Sequence, residues 1–262
     1  IVVRLVGSEM CIRDRFSTMK RIALTVCNFY LFSVNVVTGL ETKNISYCGI
    51  PFEVLGNNSS EISYIFIHGD EETARMLLEN HIKKNNGRAF IIKSKTREVP
   101  FGPTIVDPNR LFSNIGARRA LKKFKSDWDR DELDNLLIKL EESRESFLFD
   151  IFPDKGGLLI ALHNNFRGYN VEDELNDSEL YSIKKDENPR DFVLCTNAND
   201  YQKLKDGPYN VVLQNRMKKN NNGSLSWAAI EHGVRYINIE TRLGWLSQQR
   251  KMLQFVEKRL KK

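Results

Sequence analysis

Long apolar runs, cysteine and net charge are all scarce in this sequence. No segment after residue 40 approaches the length of a membrane-spanning helix, so no membrane span is expected in that part of the chain. Histidine is also rare, with four in all. What remains is an ordinary globular composition, with 41% hydrophobic and 28% charged residues in a chain of 262. This composition favours one globular domain of α/β type.

The first 39 residues differ from the rest. Residues 1–18 resemble translated adapter sequence, and we treat them as a non-native leader outside the fold. After Met19, the basic pair Lys20 and Arg21 precedes the apolar run IALTVCNFYLFSVNVV, and residues 37–39 form a small-residue cleavage site. These features predict a signal peptide over residues 19–39 and an exported protein, secreted or periplasmic, with its domain at 40–262. An N-terminal anchor helix is the alternative, although the run is short for a membrane span.

Loss of this N-terminal segment would change the charge and the cysteine content. Residues 1–18 carry three arginines and two acids, and Lys20 and Arg21 add two positive charges, so the formal charge of +6 would fall to +3. That excess is too small to indicate a nucleic-acid-binding protein. Cys48 and Cys195 would remain. In an oxidising compartment they could form a disulfide or stay as separate buried thiols.

From residue 60 onwards, short apolar runs alternate with longer amphipathic or charged segments. The apolar runs predict strands at 64–67, 88–93, 157–163, 192–196, 209–213 and 235–240. The amphipathic segments predict helices at 71–84, 128–148, 198–205, 225–232 and 246–260. The segment 117–150 is dense in both signs of charge and is interpreted as a solvated helical face. The alternation predicts a single three-layer α/β/α domain with a mostly parallel mixed sheet.

Polar side chains stand at the ends of three predicted strands. His68 follows YIFI, His163 ends GLLIALH, and Glu240 ends RYINIE. Ligands of open α/β sheets bind beyond the carboxyl ends of the strands. Residues that are far apart in the sequence are therefore expected to meet at one edge of the sheet.

His68, Glu71 and His163 form a candidate metal site. A glutamate three residues after a histidine, across a strand-to-helix turn, can return its carboxylate to a metal that the histidine holds. His163 would supply a third ligand, which leaves zinc an open position for water and one net positive charge. The simpler interpretation is that Asp70, Glu71 and Glu72 cap a helix N-terminus, and that His163 is a polar residue finishing a strand.

The segment VDPNRLFS, residues 106–113, is a candidate for substrate binding. Pro108 interrupts regular structure, so we expect Asn109 and Arg110 on a loop in extended geometry. An arginine fixed there can hold a carboxylate in two parallel hydrogen bonds, and the asparagine amide can hold it further. The alternative is an Asx-Pro turn with a solvated arginine.

Glu240 is a candidate general base. It follows an alternating strand and is expected at the same edge of the sheet as the candidate metal ligands. A carboxylate there could accept a proton from activated water and pass it to a leaving amine. An ion pair with Arg235 or Arg242 is the alternative.

The ordered set HGDE, DPNR, LHNN and IET resembles the zinc carboxypeptidase superfamily, near its aspartoacylase and succinylglutamate desuccinylase branch. The resemblance covers about residues 62–250. It implies a role for each matching residue: Zn²⁺ ligands His68, Glu71 and His163, carboxylate-binding residues Asn109 and Arg110, and catalytic base Glu240. It also implies that Arg97, in KTREVPF, polarises the scissile carbonyl and stabilises the oxyanion.

The resemblance implies a zinc-dependent hydrolase that cleaves an amide or peptide bond near a substrate carboxylate. Tyr209 and Tyr236 are the candidates for the tyrosine that carboxypeptidases bring over the substrate. We recognise no C-terminal β-domain like that of the aspartoacylase branch, so we expect an open site, which favours a peptide, for example from a cell wall. An N-acyl amino acid deacylase and a non-catalytic binding protein on the same fold are the alternatives.

Overall fold

The computed structural model describes residues 42–56, 61–219 and 221–261. The predicted leader, signal peptide and cleavage site lie outside these residues and stay predictions. Within the described part of the chain, no helix has both the length and the apolar character needed to cross a membrane.

The described strands are three to eight residues long. Their bounds are β1 Thr42–Tyr47, β2 Ile50–Gly56, β3 Ile62–Phe66, β4 Arg88–Ile92, β5 Val99–Phe101, β6 Thr104–Val106, β7 Leu158–Asn165, β8 Leu180–Ser182, β9 Phe192–Cys195, β10 Asn210–Leu213 and β11 Arg235–Arg242. Nine of these described strands form one mixed sheet in the order β1-β2-β4-β3-β7-β11-β9-β10-β8, and β5 pairs separately with β6.

The helices cover both faces of the large sheet. Their bounds are α1 Glu72–Ile82, α2 Asn114–Phe124, α3 Arg130–Ile151, α4 Glu172–Leu175, α5 Ala198–Leu204, α6 Leu225–Glu231 and α7 Leu246–Leu260, with a 3₁₀ turn at Pro108–Arg110. Helices α1 and α5 each contact α7 on one face. On the other face α2 packs on α3, and the ring of His232 at the end of α6 contacts Phe152 at the end of α3. The described fold is therefore the predicted three-layer α/β/α arrangement.

The centre of the sheet consists of the four parallel strands β4, β3, β7 and β11. All residues of β3 and β7 are buried, as expected for parallel strands that are covered on both faces. Antiparallel pairs lie outside this centre, where β2 joins β4 and β9 joins β11. The carboxyl ends of the central strands consequently meet at one edge of the sheet.

The predicted strands and helices all have counterparts, but several short elements escaped prediction. The β1–β2 hairpin lies before residue 60, where no element is predicted, and it turns through Cys48 and Gly49, both with positive φ. Helix α2, the β5–β6 pair and the edge strand β8 are also additional. Strands β7 and β11 run two residues beyond the predicted ends, so His163 and Glu240 lie inside their strands.

Two further expectations are settled by the fold. Cys48 and Cys195, both among the described residues, are free thiols and form no disulfide. The segment 117–150 is more than a solvated face, because α3 buries a stripe of mainly apolar side chains that includes Leu133, Leu140 and Phe147. In the sequence these apolar residues are interspersed with many charged ones, so the buried stripe was not recognised.

Candidate metal centre and its cavity

The side chains of His68, Glu71 and His163 converge, and we refer to these three residues as the His–Glu–His cluster. His68 Nδ1 lies 2.8 Å from Glu71 Oε1 and 3.2 Å from His163 Nδ1. His163 Nδ1 lies 3.0 Å from Glu71 Oε2. All three residues are at most 3% exposed. One ligand atom from each lies within 4.8 Å of the others, which is close enough for the three to hold one metal ion.

The loop between β3 and α1 determines where Glu71 points. A Cβ atom at Gly69 would lie 2.5 Å from the backbone carbonyl of Ser94, so only glycine fits there. The amide of Glu71 donates to the carbonyl of His68 at 3.2 Å, which closes a tight turn. Glu71 occupies the N-cap position of α1, but its side chain makes no capping hydrogen bond. Its carboxylate therefore faces the two histidines instead of the helix.

The acids on either side of Glu71 have different surroundings. Glu72 is exposed in the first turn of α1, where the helix dipole favours negative charge. Asp70 is half-buried, and its Oδ1 has no hydrogen-bond partner in the described structure. Asp70 stands one position before the N-cap residue, Glu71, and its role as a negative charge near the helix N-terminus stays a prediction.

The donor set of the cluster fits zinc. Two histidine nitrogens and one carboxylate are the ligands of many catalytic zinc sites. His68 Nε2 lies 2.9 Å from Asp107 Oδ1. A proton on Nε2 donates to this carboxylate, which fixes the ring and leaves the Nδ1 lone pair directed at Glu71 and His163. These acceptor atoms face one another so closely that a proton or a cation must lie among them.

The pKa values of the clustered residues show that their surroundings also favour a proton at the position where a cation would lie. Burial lowers the pKa of His68, but Glu71 and Asp107 outweigh burial and raise it to about 9. Burial raises the pKa of Glu71, yet His68 and His163 hold it far below its usual range. Burial raises the pKa of Asp107, but His68 outweighs burial and the pKa is lowered. The surroundings of the cluster thus stabilise positive charge at its centre.

Glu240 lies directly beside His163, because the two residues are register partners on β11 and β7. Asn238 Nδ2 donates to Glu240 Oε1 at 3.2 Å, and Asn165 Nδ2 donates to Oε2 at 3.3 Å. Burial raises the pKa of the Glu240 carboxyl, while His163 opposes the increase. A carboxylate whose pKa is raised is suited to accept a proton and return it.

The alternative role of Glu240, an ion pair with a nearby arginine, is not observed in the described structure. Arg235 pairs with Asp200 at 2.8 Å. Arg242 pairs with Asp191 at 2.8 Å. Both arginines therefore have other carboxylate partners, and Glu240 faces the cavity beside His163.

Arg97 reaches the cluster from the loop that follows β4. Its Nη1 donates to Glu71 Oε1 at 3.0 Å, and its Nε lies 3.4 Å from Asp107 Oδ2. The side chain is 27% exposed and lines the cavity. A guanidinium has five N–H donors, so Arg97 keeps donors for a ligand while it holds both carboxylates.

Asn109 and Arg110 lie on one turn of 3₁₀ helix, so the prediction of extended geometry is wrong. The fixed φ of Pro108 also suits the first position of a helix, and Asp107 accepts from the Asn109 amide at 2.9 Å. An Asx turn is therefore present, but Arg110 is half-buried and lines the cavity rather than standing in solvent. Asn109 Oδ1 accepts from the Leu225 amide at 2.9 Å, which ties the turn to α6.

One cavity of about 370 Å³ contains all seven residues selected from the sequence. Tyr236 lies in its wall, whereas Tyr209 packs edge-on against Phe255, with ring centres 5.4 Å apart. Of the two tyrosines considered for a role over the substrate, the structure brings only Tyr236 to the cavity.

Sequence reasoning missed residues that hold this site in place, of which Asp107 and Asn165 are the clearest. Asp107 begins the DPNR motif and fixes His68. Asn165 ends LHNN and holds Glu240, and Arg190 Nε in turn donates to Asn165 Oδ1 at 2.8 Å. The two-residue repeat of a strand places Asn165 on the same face as His163, so that spacing was a usable signal. The sequence offers no comparable signal for Arg190.

Comparisons with known proteins give fold likeness alone. No family model and no curated protein matches this sequence. Three solved structures are similar: the ectoine utilization protein EutE (DoeB) from Ruegeria pomeroyi, a candidate metallopeptidase from Shewanella denitrificans OS217 and an aspartoacylase family protein from Mesorhizobium loti. Their identities are 14%, 13% and 14%, and their TM-scores 0.44, 0.43 and 0.43. The matches cover 86%, 84% and 85% of this chain and 68%, 84% and 67% of theirs.

The function proposed below rests on the residues of the cavity.

Proposed function

We propose that this protein is a metal-dependent hydrolase that cleaves an amide bond close to a carboxylate of its substrate. The observation that carries the proposal is the His–Glu–His cluster with Glu240 beside it in one cavity. The three cluster residues would hold Zn²⁺. When bound, zinc would supply Lewis-acid polarisation of the scissile carbonyl and acidify water.

Glu240 is the group proposed to move the proton. Its strand neighbours that of His163, and adjacent strands lie about 4.8 Å apart. The Glu240 carboxylate therefore lies close to the His163 ring. Asn165 and Asn238 hold its two oxygens and orient it. In the proposed reaction Glu240 accepts a proton from the attacking water and donates it to the nitrogen of the leaving amine.

The remaining selected residues would orient the substrate. Arg110 has one hydrogen bond to its own turn, from Nη1 to the Asn109 carbonyl at 2.9 Å, and a guanidinium has further donors for a carboxylate. We assign this carboxylate to Arg110, with the amide nitrogen of Asn109 as a second donor. Arg97, beside Glu71, would donate to the carbonyl oxygen as negative charge develops on it.

Metal content and a single substitution test the proposal. Protein purified without chelators should contain about one zinc per chain and hydrolyse either short peptides or N-acyl amino acids. Glu240→Gln should lower kcat by about a thousandfold or more, since proton transfer is lost, and should keep its zinc. Full activity of Glu240→Gln would contradict the mechanism.

The alternatives differ in substrate or in catalysis. A panel of cell-wall tripeptides and tetrapeptides and a panel of N-acyl amino acids distinguish the peptidase from the deacylase. A zinc content near zero after metal-sparing purification, with no hydrolysis of either panel, would favour a binding protein on this fold.

We also propose that the protein is exported, on the basis of the N-terminal sequence. Expression of residues 19–262 in a bacterial host, followed by N-terminal sequencing of the periplasmic fraction, tests this proposal. A mature N-terminus near residue 40 is expected. A chain that starts at Met19 and stays with the membranes would favour the anchor.

A further inference from the structure

The cavity extends from the His–Glu–His cluster across the sheet to a second group of polar side chains. It passes Asn238 on β11 and Leu194 on β9 and reaches Gln214, which directly follows β10. With strands about 4.8 Å apart, Gln214 lies roughly 10 Å from the line of β11. The cavity therefore has room for a substrate group well away from the bond that is cleaved.

Glu174 is the charged residue of this second group. The hydroxyl of Tyr169 donates to Glu174 Oε1, and Gln214 Nε2 donates to Glu174 Oε2 at 3.4 Å. No arginine, lysine or histidine forms an ion pair with Glu174 among the residues that the structure describes. Its neighbour Asp177, also in the cavity wall, differs in being paired with Lys218 Nζ at 2.5 Å.

Two amide oxygens in the wall of the cavity have no hydrogen-bond partner among the described residues. Gln214 is 2% exposed, and its Oε1 accepts no hydrogen bond from any described residue. Asn238 Oδ1 is likewise buried and unpaired within the described structure. The nitrogens of these amides donate to Glu174 and Glu240, so the carboxylates fix which end of each amide is left unpaired. Buried acceptors are rarely left unpaired, and these two line a cavity that can admit a donor.

The charge of the cavity wall indicates which donor would fit. Burial raises the pKa of Glu174, and nearby Glu240 and Asp177 add to the rise, while the hydrogen bond from Tyr169 and the positive charge of Arg110 oppose it. A positively charged donor would relieve this repulsion and supply several N–H groups at once. An ammonium group has three such donors and no acceptor.

We propose that Glu174 and Gln214 Oε1 form a subsite for an ammonium group of the substrate. The inference rests on the proposed hydrolase function and narrows its substrates to amine-bearing peptides or acyl amino acids. The carboxylate would lie at Arg110 and the amine at Glu174, so the cavity would select molecules that carry both charges.

Binding to metal-free protein tests the subsite without hydrolysis. The probes are the tripeptide Ala-Lys-Ala and two analogues, one acetylated on the α-amine and one on the lysine side chain. Calorimetry with chelator-treated wild type should show that one analogue, the one that lacks the amine held by the subsite, binds at least tenfold more weakly than Ala-Lys-Ala. Glu174→Gln should bind Ala-Lys-Ala as weakly as that analogue, because the variant keeps the shape and loses the charge. Gln214→Met should weaken binding several-fold, since it removes the unpaired acceptor.

Glu172→Gln is the matched control, because Glu172 is exposed on the same short helix and its loss should leave binding unchanged. Circular dichroism and melting curves show whether each variant is folded. If Glu174→Gln does not fold, Gln214→Met alone tests the subsite. Equal affinities for all three peptides, or no binding of any, would overturn the ammonium subsite. If the protein still discriminates between the three peptides, but its zinc-loaded form hydrolyses neither these peptides nor the panel of N-acyl amino acids, the ammonium subsite stands and the hydrolase function is overturned.

Discussion

Two buried clusters of this protein contain the same residue types and have different surroundings. One is the His–Glu–His cluster at the carboxyl ends of β3 and β7. The other, which we call the α1–α7 cluster, consists of His81 on α1, Glu257 on α7 and Tyr64 on β3. In the α1–α7 cluster Glu257 Oε1 accepts from the Tyr64 hydroxyl and lies 3.0 Å from His81 Nε2.

The two clusters show that a buried histidine beside a glutamate does not by itself make a metal site. In the α1–α7 cluster each donor faces an acceptor, and none of its residues lines the cavity that contains the His–Glu–His cluster. In the His–Glu–His cluster four acceptor atoms face one another, namely the two histidine Nδ1 atoms and the two oxygens of Glu71. Asp107 accepts from the other ring nitrogen of His68, Nε2. Convergence of acceptors on one point, open to a cavity, is therefore the feature that indicates a metal.

The largest contrast is expected between two histidine substitutions of the same kind. His163→Gln should lose the zinc and at least a thousandfold of any activity, because one of the two nitrogen ligands is gone. His81→Gln should keep both. Mass-spectrometric metal analysis of the two purified proteins, together with the rise in Tm when zinc is added, checks this prediction. Zinc retained in His163→Gln at wild-type level would remove the distinction between the clusters.

Asp107→Asn should weaken metal binding without abolishing it. The carboxylate accepts from His68 Nε2 and fixes the ring, and loss of such outer contacts typically costs about 10–100-fold in metal affinity. Competition with a zinc-binding dye measures the change. Asp177→Asn is the control, since Asp177 lines the same cavity without touching the cluster. An unchanged affinity in Asp107→Asn would show that the ring is held without this bond.

Glu257→Gln should affect stability and leave the metal site untouched. Hydrogen bonds to a buried charged group contribute about 1.5–3 kcal/mol each, so a loss of about 1–3 kcal/mol in the free energy of unfolding is expected. Urea unfolding of the zinc-free proteins measures it. The control is Glu79→Gln in the partly exposed pair with Arg75, where less than about 0.5 kcal/mol is expected. Similar losses in both variants would place the α1–α7 cluster among ordinary surface pairs.

The smallest effect is the pH dependence of that loss. Burial raises the pKa of Glu257, but His81 and Tyr64 outweigh it, and the folded pKa lies below the ordinary value. The ionised carboxylate therefore stabilises the fold above the unfolded pKa of about 4.3, and this contribution disappears as pH falls through the folded value. The difference in unfolding free energy between wild type and Glu257→Gln should shrink from pH 7 to pH 3. A constant difference over this range would assign the effect of Glu257 to packing.

Much of the fold was accessible from local patterns, and its omissions have physical causes. The predicted strands and helices after residue 60 match because buried strands and amphipathic helices have distinct periods. The hairpin β1–β2 was missed because its strands, TKNISY and IPFEVLG, lie at the sheet edge and mix polar with apolar residues. Helix α2 was missed because its buried face consists mainly of the small residues Gly116, Ala117 and Ala120, which give a weak apolar signal.

The candidate site likewise contains residues that a local pattern predicts and residues whose contacts depend on distant parts of the chain. The spacing of His68 and Glu71 is a local signal, since one turn joins them. Contacts of Gln214 and Asn238 depend on strand neighbours, and no local pattern distinguishes these amides from solvated ones. Their unpaired oxygens are visible only once the partners of every neighbouring group are known.

The sequence by itself determined the order of strands and helices and placed histidine and glutamate near the carboxyl ends of strands, because these features depend on residues close together in the chain. Only the tertiary structure decided that β7 lies between β3 and β11. That neighbourhood brings His163 to within 3.2 Å of His68 across 95 positions and makes Glu240 its register partner. The order of strands in a sheet is fixed by packing between distant segments, which single-sequence periodicity does not encode.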